Sequence, residues 1–455
     1  MTRQPHTMDL DLDTHFARLG GDPTLDAFQA RRAVLPWRNK RPLPADQVPH
    51  VWRQLSDAGS PSPGRLAYVH VPFCANHCLF CGFYRNAHSD DAAARYADLL
   101  VAEIELDAHA ALPGSAPIEA VYLGGGTPSA LSAHQLERVL TALRGHLPLS
   151  EDCEITLEGR ITHFDADKVE ACVSAGVNRI SIGIQTFDTR VRRRQGRKSS
   201  REEAIRFLES LCARNDATIV IDLLYGLPGQ TPEIWHDDLR TAVALAPDGI
   251  DLYGLNLIPG TPLQRSVAAG KFPVTSTLSD RGEMYRTGKR ALDAAGWEQL
   301  NNSHWRRTPR ERSRYNLRIK EGMDCLAYGS GAGGQVGRYS YAVTGDLQGY
   351  ADAVRGGDKP LSAIQVADDL QAARHAMTAG FEVGRLDMTV FRGIAPAASH
   401  DACDTLLRQW HAAGLLDYDG RIAMLTTAGR FWYSNLIFAF DDVLTAVTAA
   451  ASPCA

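Results

Sequence analysis

Residues 70–84 read HVPFCANHCLFCGFY and carry three of the chain's nine cysteines, Cys74, Cys78 and Cys81, in a C-x3-C-x2-C spacing. The stretch directly follows LAYVHV, Leu66–Val71, an apolar run of strand character. A loop leaving a strand with that spacing brings three thiolates to one soft metal centre. Two centres suit it. A zinc ion would need a fourth ligand, for which His70, His77 or His88 are at hand, although zinc sites more often pair two knuckles and no second pair is present. A four-iron, four-sulfur cluster is also held by thiolates, and three of them leave one iron open for chemistry. Spacing favours the cluster and leaves zinc open.

Beyond this loop, short β-rich runs alternate with helix-length amphipathic segments. LAYVHV, IEAVYLGGG, CEITLEG, NRISIGIQT, ATIVIDLLYG and GIDLYGLN are separated by stretches such as DDAAARYADLLVAEIELDA and SREEAIRFLESLCAR. Six strands with intervening helices predict an α/β fold with a parallel sheet curled into a partial (β/α)6 barrel. Chemistry in such sheets gathers at the C-terminal strand ends. Each predicted strand does run into a marked loop there: the cysteine cluster, GGGTP, EGR, QTFD, YGLPGQ and NLIPGTPL.

The barrel spans 65–275 in this reading. Residues 1–64 form an N-terminal arm broken by Pro36, Pro42, Pro44, Pro49, Pro61 and Pro63, with one short basic helix over DAFQARRAVLPW (residues 26–37). Residues 276–366, with NNSHWRRTPRERSRYN and YGSGAGGQVGRYSY, are a barrel extension on the substrate side. Residues 367–455 read as helix, helix and β-wing, a small winged-helix-like domain without the basic clustering of a DNA reader. A formal charge of -5 gives no nucleic-acid footprint, and neither a signal-peptide core nor a long apolar run is visible. The expectation is a cytoplasmic protein with no nucleic-acid or membrane partner. In that reducing compartment Cys153, Cys172, Cys212, Cys325 and Cys403 read as core residues, and Cys454 lies in a loose tail.

The conjunction Y-V-H-V-P-F-C-x3-C-x-F-C, YLGGGTP, GIQTFD and IDLLYGLPGQT resembles the radical S-adenosylmethionine (SAM) superfamily, in the branch of oxygen-independent coproporphyrinogen oxidase and its haem-handling relatives. The resemblance covers roughly residues 65 to 440. It implies a 4Fe-4S cluster on Cys74, Cys78 and Cys81, with SAM as second cofactor. Tyr68 and Glu158 take the catalytic positions, Tyr68 beside the cluster and Glu158 holding SAM. Phe83, Gly124, Gly125, Gly126 and Thr127 fall in the cofactor-binding loops, Gln185 and Asp222 suit ribose hydroxyls, and Arg197 suits the methionine carboxylate. Read singly, Glu158 would serve equally as a helix cap, Arg197 as part of a solvated face in RVRRRQGRK, and Asp222 as a satisfied buried group.

Within the branch, the oxidases carry a cysteine where this chain has Phe83. The haem chaperones share the phenylalanine but begin almost at the cysteine motif. The long arm with FQARRAVLPW, LEGRITHFD and NNSHWRRTPRERSRYN is similar to the anaerobic haem-degrading methyltransferases, the anaerobilin synthases. That likeness implies haem as substrate, and a carbon radical from SAM that leads to methylation at a meso position. Ring opening and iron release would follow, with electrons from a low-potential donor such as a flavodoxin. The alternatives are haem binding without turnover and coproporphyrinogen decarboxylation. Arg306, Arg307, Arg310, Arg312 and Arg314 are candidates for haem propionates, and His304 or Trp305 for the macrocycle face. An axial ligand, if a histidine, would come from His70, His77, His88, His163 or His304.

Overall fold

The computed structural model describes residues 11–32, 38–108, 110–272 and 276–451. Its centre is the expected set of six parallel strands: β1 (Arg65–Val71), β2 (Ile118–Gly125), β3 (Leu149–Gly159), β4 (Arg179–Gln185), β5 (Thr218–Tyr225) and β6 (Gly249–Gly254). Each pairs with the next in chain order, and the crossover helices include Asp90–Asp107, Ala133–His146, Ala166–Ser174, Arg201–Arg214 and Pro232–Leu245.

Strand periodicity sorts the side chains. In β4, Ile180, Ile182 and Ile184 are fully buried in the main core, while Ser181, Gly183 and Gln185 line a cavity on the other face. In β5 the core positions are Ile219, Ile221 and Leu223, and Asp222 and Leu224 face the cavity. In β3 they are Ile155 and Leu157, with Glu158 turned inward. The apolar half of every second position holds the helices, and the polar half is free to build a site.

The stretch after residue 276, which has no clear period, extends the same sheet. Strand β7 (His304–Arg306) runs antiparallel to β6, with His304 opposite Asp251. Strand β8 (Asp324–Tyr328) lies parallel to β1 on the other edge, Ala327 opposite Tyr68, and leads into antiparallel strands Gly333–Val336, Tyr339–Val343 and Leu361–Ala367. Nothing in the local pattern announces this, because β8 finds its partner far away in the chain.

Two local readings of the arm are corrected. Past the single turn Pro23–Asp26, Ala27–Arg32 are not helical, and the remainder of the expected basic helix lies outside the described residues. Conversely, Val48–Ala58 is a helix, with Pro49 in its first turn where a missing N–H costs nothing. The C-terminal part has helices Gln371–Val383, Met388–Ile394 and His400–Ala412 around a three-stranded sheet ordered Arg385–Asp387, Ile422–Leu425, Leu416–Tyr418. Its first strand and the short helix after it add to the expected winged-helix pattern. The closing helix, Thr427–Ala451, packs against the arm turn Pro23–Asp26 and against helix Leu278–Ala294. Among the described residues no helix is long and apolar enough to cross a membrane. Cys454 lies outside the described residues.

Candidate functional site

The C-terminal ends of β3, β4, β5 and β6 surround a cavity of about 600 Å³, within the range of small-molecule sites. Cys78, Cys81, Phe83, Gly126, Thr127, Glu158, Gln185, Arg197 and Asp222 all line it. Local geometry explains how they arrive there. Gly126 donates its N–H to the Val71 carbonyl at 2.8 Å, and a Cβ on it would sit 2.6 Å from the Phe73 carbonyl oxygen. Gly125 has φ +107, with the His70 ring where its Cβ would be. The GGG stretch therefore folds back tightly over the start of the cysteine loop and places Thr127 against Cys74, Oγ1 to Sγ 3.4 Å.

Each thiol has a donor suited to a thiolate. Cys74 has the Thr127 hydroxyl, Cys81 has the Phe83 N–H at 3.3 Å, and Cys78 has the Arg160 guanidinium at 2.6 Å. Arg160 was not singled out from the sequence beyond its place in the EGR loop, and that loop was the available signal. Burial raises the Cys74 thiol, with Thr127 and Arg160 pulling it back. Among the described residues no three His, Cys, Asp or Glu side chains converge closely enough for a single ion. A four-iron cube spreads its thiolates over separate corners, and three thiols with individual donors, Cys78 and Cys81 on the cavity wall and Cys74 buried behind Thr127, fit such a body.

The remaining predicted positions carry marks of a ligand site. Gln185 sits at φ +68 beside a register slip between β4 and β5, and its Oε1 is buried without a hydrogen-bond partner. Strained non-glycine backbone of this kind persists where the surroundings enforce it, commonly at ligand sites. Arg197 is half-buried, donates to the Gly183 carbonyl, and leaves its buried Nε without a partner. Glu158 is raised by burial while it accepts from the Tyr122 hydroxyl at 2.8 Å. Asp222 is pushed up to about 7 by burial and by the charges of Asp251 and Glu158. Tyr68, Cys74, Gly124 and Gly125 do not line the cavity. Tyr68 lies one layer inside the barrel, its hydroxyl 3.1 Å from His70 Nδ1 and its ring near Tyr122 and Tyr315.

The comparisons place this geometry. A family model described as the Radical SAM superfamily matches residues 68–242. The anaerobilin synthase of Escherichia coli O157:H7 is 45% identical over 443 residues, covering 97% of both chains. The chain belongs to the anaerobilin synthase family of radical SAM enzymes. A haem chaperone of Escherichia coli K12 is 32% identical over 60% of this chain and 71% of its own. The crystal structure of coproporphyrinogen III oxidase from Escherichia coli shares the fold, with a TM-score of 0.77 at 24% identity, covering 91% of this chain and 96% of that one. As a radical SAM enzyme the chain takes a 4Fe-4S cluster and SAM, and the thiols and partnerless polar atoms above fit that pair.

In this radical SAM enzyme Asn302 and Ser303 line the cavity, but none of the expected haem contacts His304, Trp305, Arg306, Arg307, Arg310, Arg312 and Arg314 does. His304 is only 1% exposed, Nδ1 3.0 Å from Asp251 and Nε2 3.2 Å from Glu311, which in turn holds Arg179 at 2.9 Å. Trp305 is wholly buried beside it. Arg306 pairs with Glu298, Arg307 with the Pro247 carbonyl and Asp248, Arg310 with Asn215, and Arg312 and Arg314 with Asp152. Asp152, Asp248 and Arg179 stand at or beside the N-terminal ends of their strands, so this basic stretch closes the opposite end of the barrel. None of His70, His77, His88, His163 and His304 lines the cavity. His70 is held down near 4 by burial, and His77 stacks on Tyr84 with ring centres 4.2 Å apart.

Proposed function

We propose that the chain degrades haem without oxygen, adding a SAM-derived methyl carbon at a meso position, opening the macrocycle and releasing iron to leave a linear tetrapyrrole. The observation that carries this reading is the match to anaerobilin synthase across 97% of both chains. The cavity at the strand ends, beside the cysteine loop, supports it.

In this reading Cys74, Cys78 and Cys81 hold the cluster. Gly126 and Thr127 form the wall along the methionine amino group, with Gly124 and Gly125 shaping the turn behind them, and Glu158 accepts from that ammonium. Arg197 clamps the methionine carboxylate with the guanidinium edge it leaves free. Gln185 and Asp222 take the ribose hydroxyls, and Tyr68 supports the layer beneath. When bound and reduced, the cluster supplies the electron that cleaves the sulfonium to a carbon radical. The protein's share is to position the cofactor, shield it from competing reactions, and present the macrocycle to it. Electrons come from a low-potential donor such as a flavodoxin. Phe83, 67% exposed at the cavity rim where the oxidases have a further cysteine, favours haem degradation over oxidative decarboxylation.

The test is anaerobic turnover of reconstituted enzyme with haem, SAM and reductant. The Soret band disappears and free iron accumulates in proportion. Haem that stays bound and unchanged means a chaperone, and carbon dioxide released from coproporphyrinogen means an oxidase.

A further inference from the structure

With residues 306–314 engaged at the far end of the barrel, the carboxylates of a tetrapyrrole need another cation. Three arginines line the cavity: Arg31, Arg160 and Arg197. Arg160 is committed to Cys78 and the Asn76 carbonyl, and Arg197 to the Gly183 carbonyl. Among the described residues Arg31 is held by the Tyr225 hydroxyl rather than by a carbonyl or thiol. Its Nε is buried without a hydrogen-bond partner, and no ion pair engages it among the described residues. Its guanidinium lies over the Phe431 ring at 4.9 Å and against the Tyr225 hydroxyl.

The fold fixes Arg31 from both sides. Asn435, on the closing helix, accepts from the Arg32 N–H at 3.0 Å and donates to the Ala30 carbonyl at 2.9 Å. Trp432 on the same helix donates to the Pro23 and Thr24 carbonyls, which anchors the start of the segment. A chain segment more than 400 positions away is thus used to hold one arginine at the cavity wall. The walls beside it, Tyr225, Tyr285, Phe431 and Tyr433, are flat and aromatic. A partly buried cation with an unmet donor is costly unless an anion meets it.

We infer that Arg31 is the propionate anchor of the substrate, pairing with a haem carboxylate while the aromatic wall takes the macrocycle. This rests on the haem reading above and names the residue that orients the substrate. Asn435 is its positioning residue. A desolvated arginine–carboxylate pair makes a large share of such a ligand's orientation, because the guanidinium fork meets both oxygens.

The test is an anaerobic titration of the reconstituted enzyme with haem and with haem dimethyl ester, whose propionates carry no charge, followed by the Soret shift. The unsubstituted enzyme prefers haem by roughly thirtyfold, the order expected for breaking one desolvated charge pair. Arg31→Gln binds haem and the diester alike, Arg31→Lys recovers part of the preference, and Asn435→Ala loses part of it. If Arg31→Gln does not fold, the lysine and Asn435 variants carry the comparison. A preference that survives unchanged in the Arg31 variants overturns the anchor while leaving the haem reading in place. Failure of the unsubstituted enzyme to bind either compound overturns the haem reading itself.

Discussion

Alanine at any one of Cys74, Cys78 and Cys81 leaves a folded chain that assembles no cluster and turns over no haem. The three thiols are the soft donors of the loop beside the cavity, each with its own hydrogen-bond donor in place. The chain's other described cysteines are of a different kind. Cys153, Cys172, Cys325 and Cys403 are buried in surroundings that push their thiols up to about 12, which favours the protonated form. Cys172→Ala loosens the core and retains the cluster. Iron and sulfide analysis after anaerobic reconstitution checks this, with about four of each per chain in the unsubstituted enzyme and none in the loop variants. A loop variant with the full complement would contradict the assignment.

The second large effect is on stability and lies in a buried ion network that starts beside the cavity, where His304 is level with Asp251 and Asp222. His304→Ala costs about 3–5 kcal/mol, the range for removing one member of a buried ion network and stranding the rest. The ring joins Asp251 to Glu311, and Glu311 joins it to Arg179, with every one of these groups buried. Although burial alone would lower it, the flanking carboxylates raise His304 to about 10, against an ordinary value near 6.5. Because the folded form holds the proton more tightly, this contribution is complete below about pH 6.5 and is lost as pH rises through 10. Glu311 goes the other way. Its charge neighbours hold it near 2, so its contribution is present above the ordinary carboxylate range and is lost in acid. Urea unfolding between pH 6 and 10 measures both the deficit and its pH dependence. The deficit in His304→Ala is largest at pH 6 and shrinks toward pH 10. A deficit independent of pH would assign the loss to packing instead.

Six strands, their helices and the loops at their ends were legible because each depends on local periodicity and on residues a few positions apart. Cys78, Glu158, Gln185 and Asp222 were legible for the same reason, since each sits in or just after its own recognisable strand, whereas Arg197 was legible only through the family resemblance. The sequence does not display who meets whom across the barrel. NNSHWRRTPRERSRYN reads as a source of cations for haem propionates, yet Glu311 inside it and Asp251, Asp248 and Asp152 outside it absorb most of its charge. FQARRAVLPW reads as a helix by composition, whereas its described part is non-helical, clasped by Asn435 and with Arg31 over Phe431. β8 was missed because a parallel strand gives no sign of its partner.

The central claim is that this cavity joins SAM chemistry to a haem substrate. Turnover with SAM carrying a labelled methyl carbon, followed by mass analysis of the tetrapyrrole, tests it most directly. The account predicts an open-chain, iron-free product that has gained the labelled carbon. A product without the label, or haem recovered intact after SAM has been consumed, would contradict it.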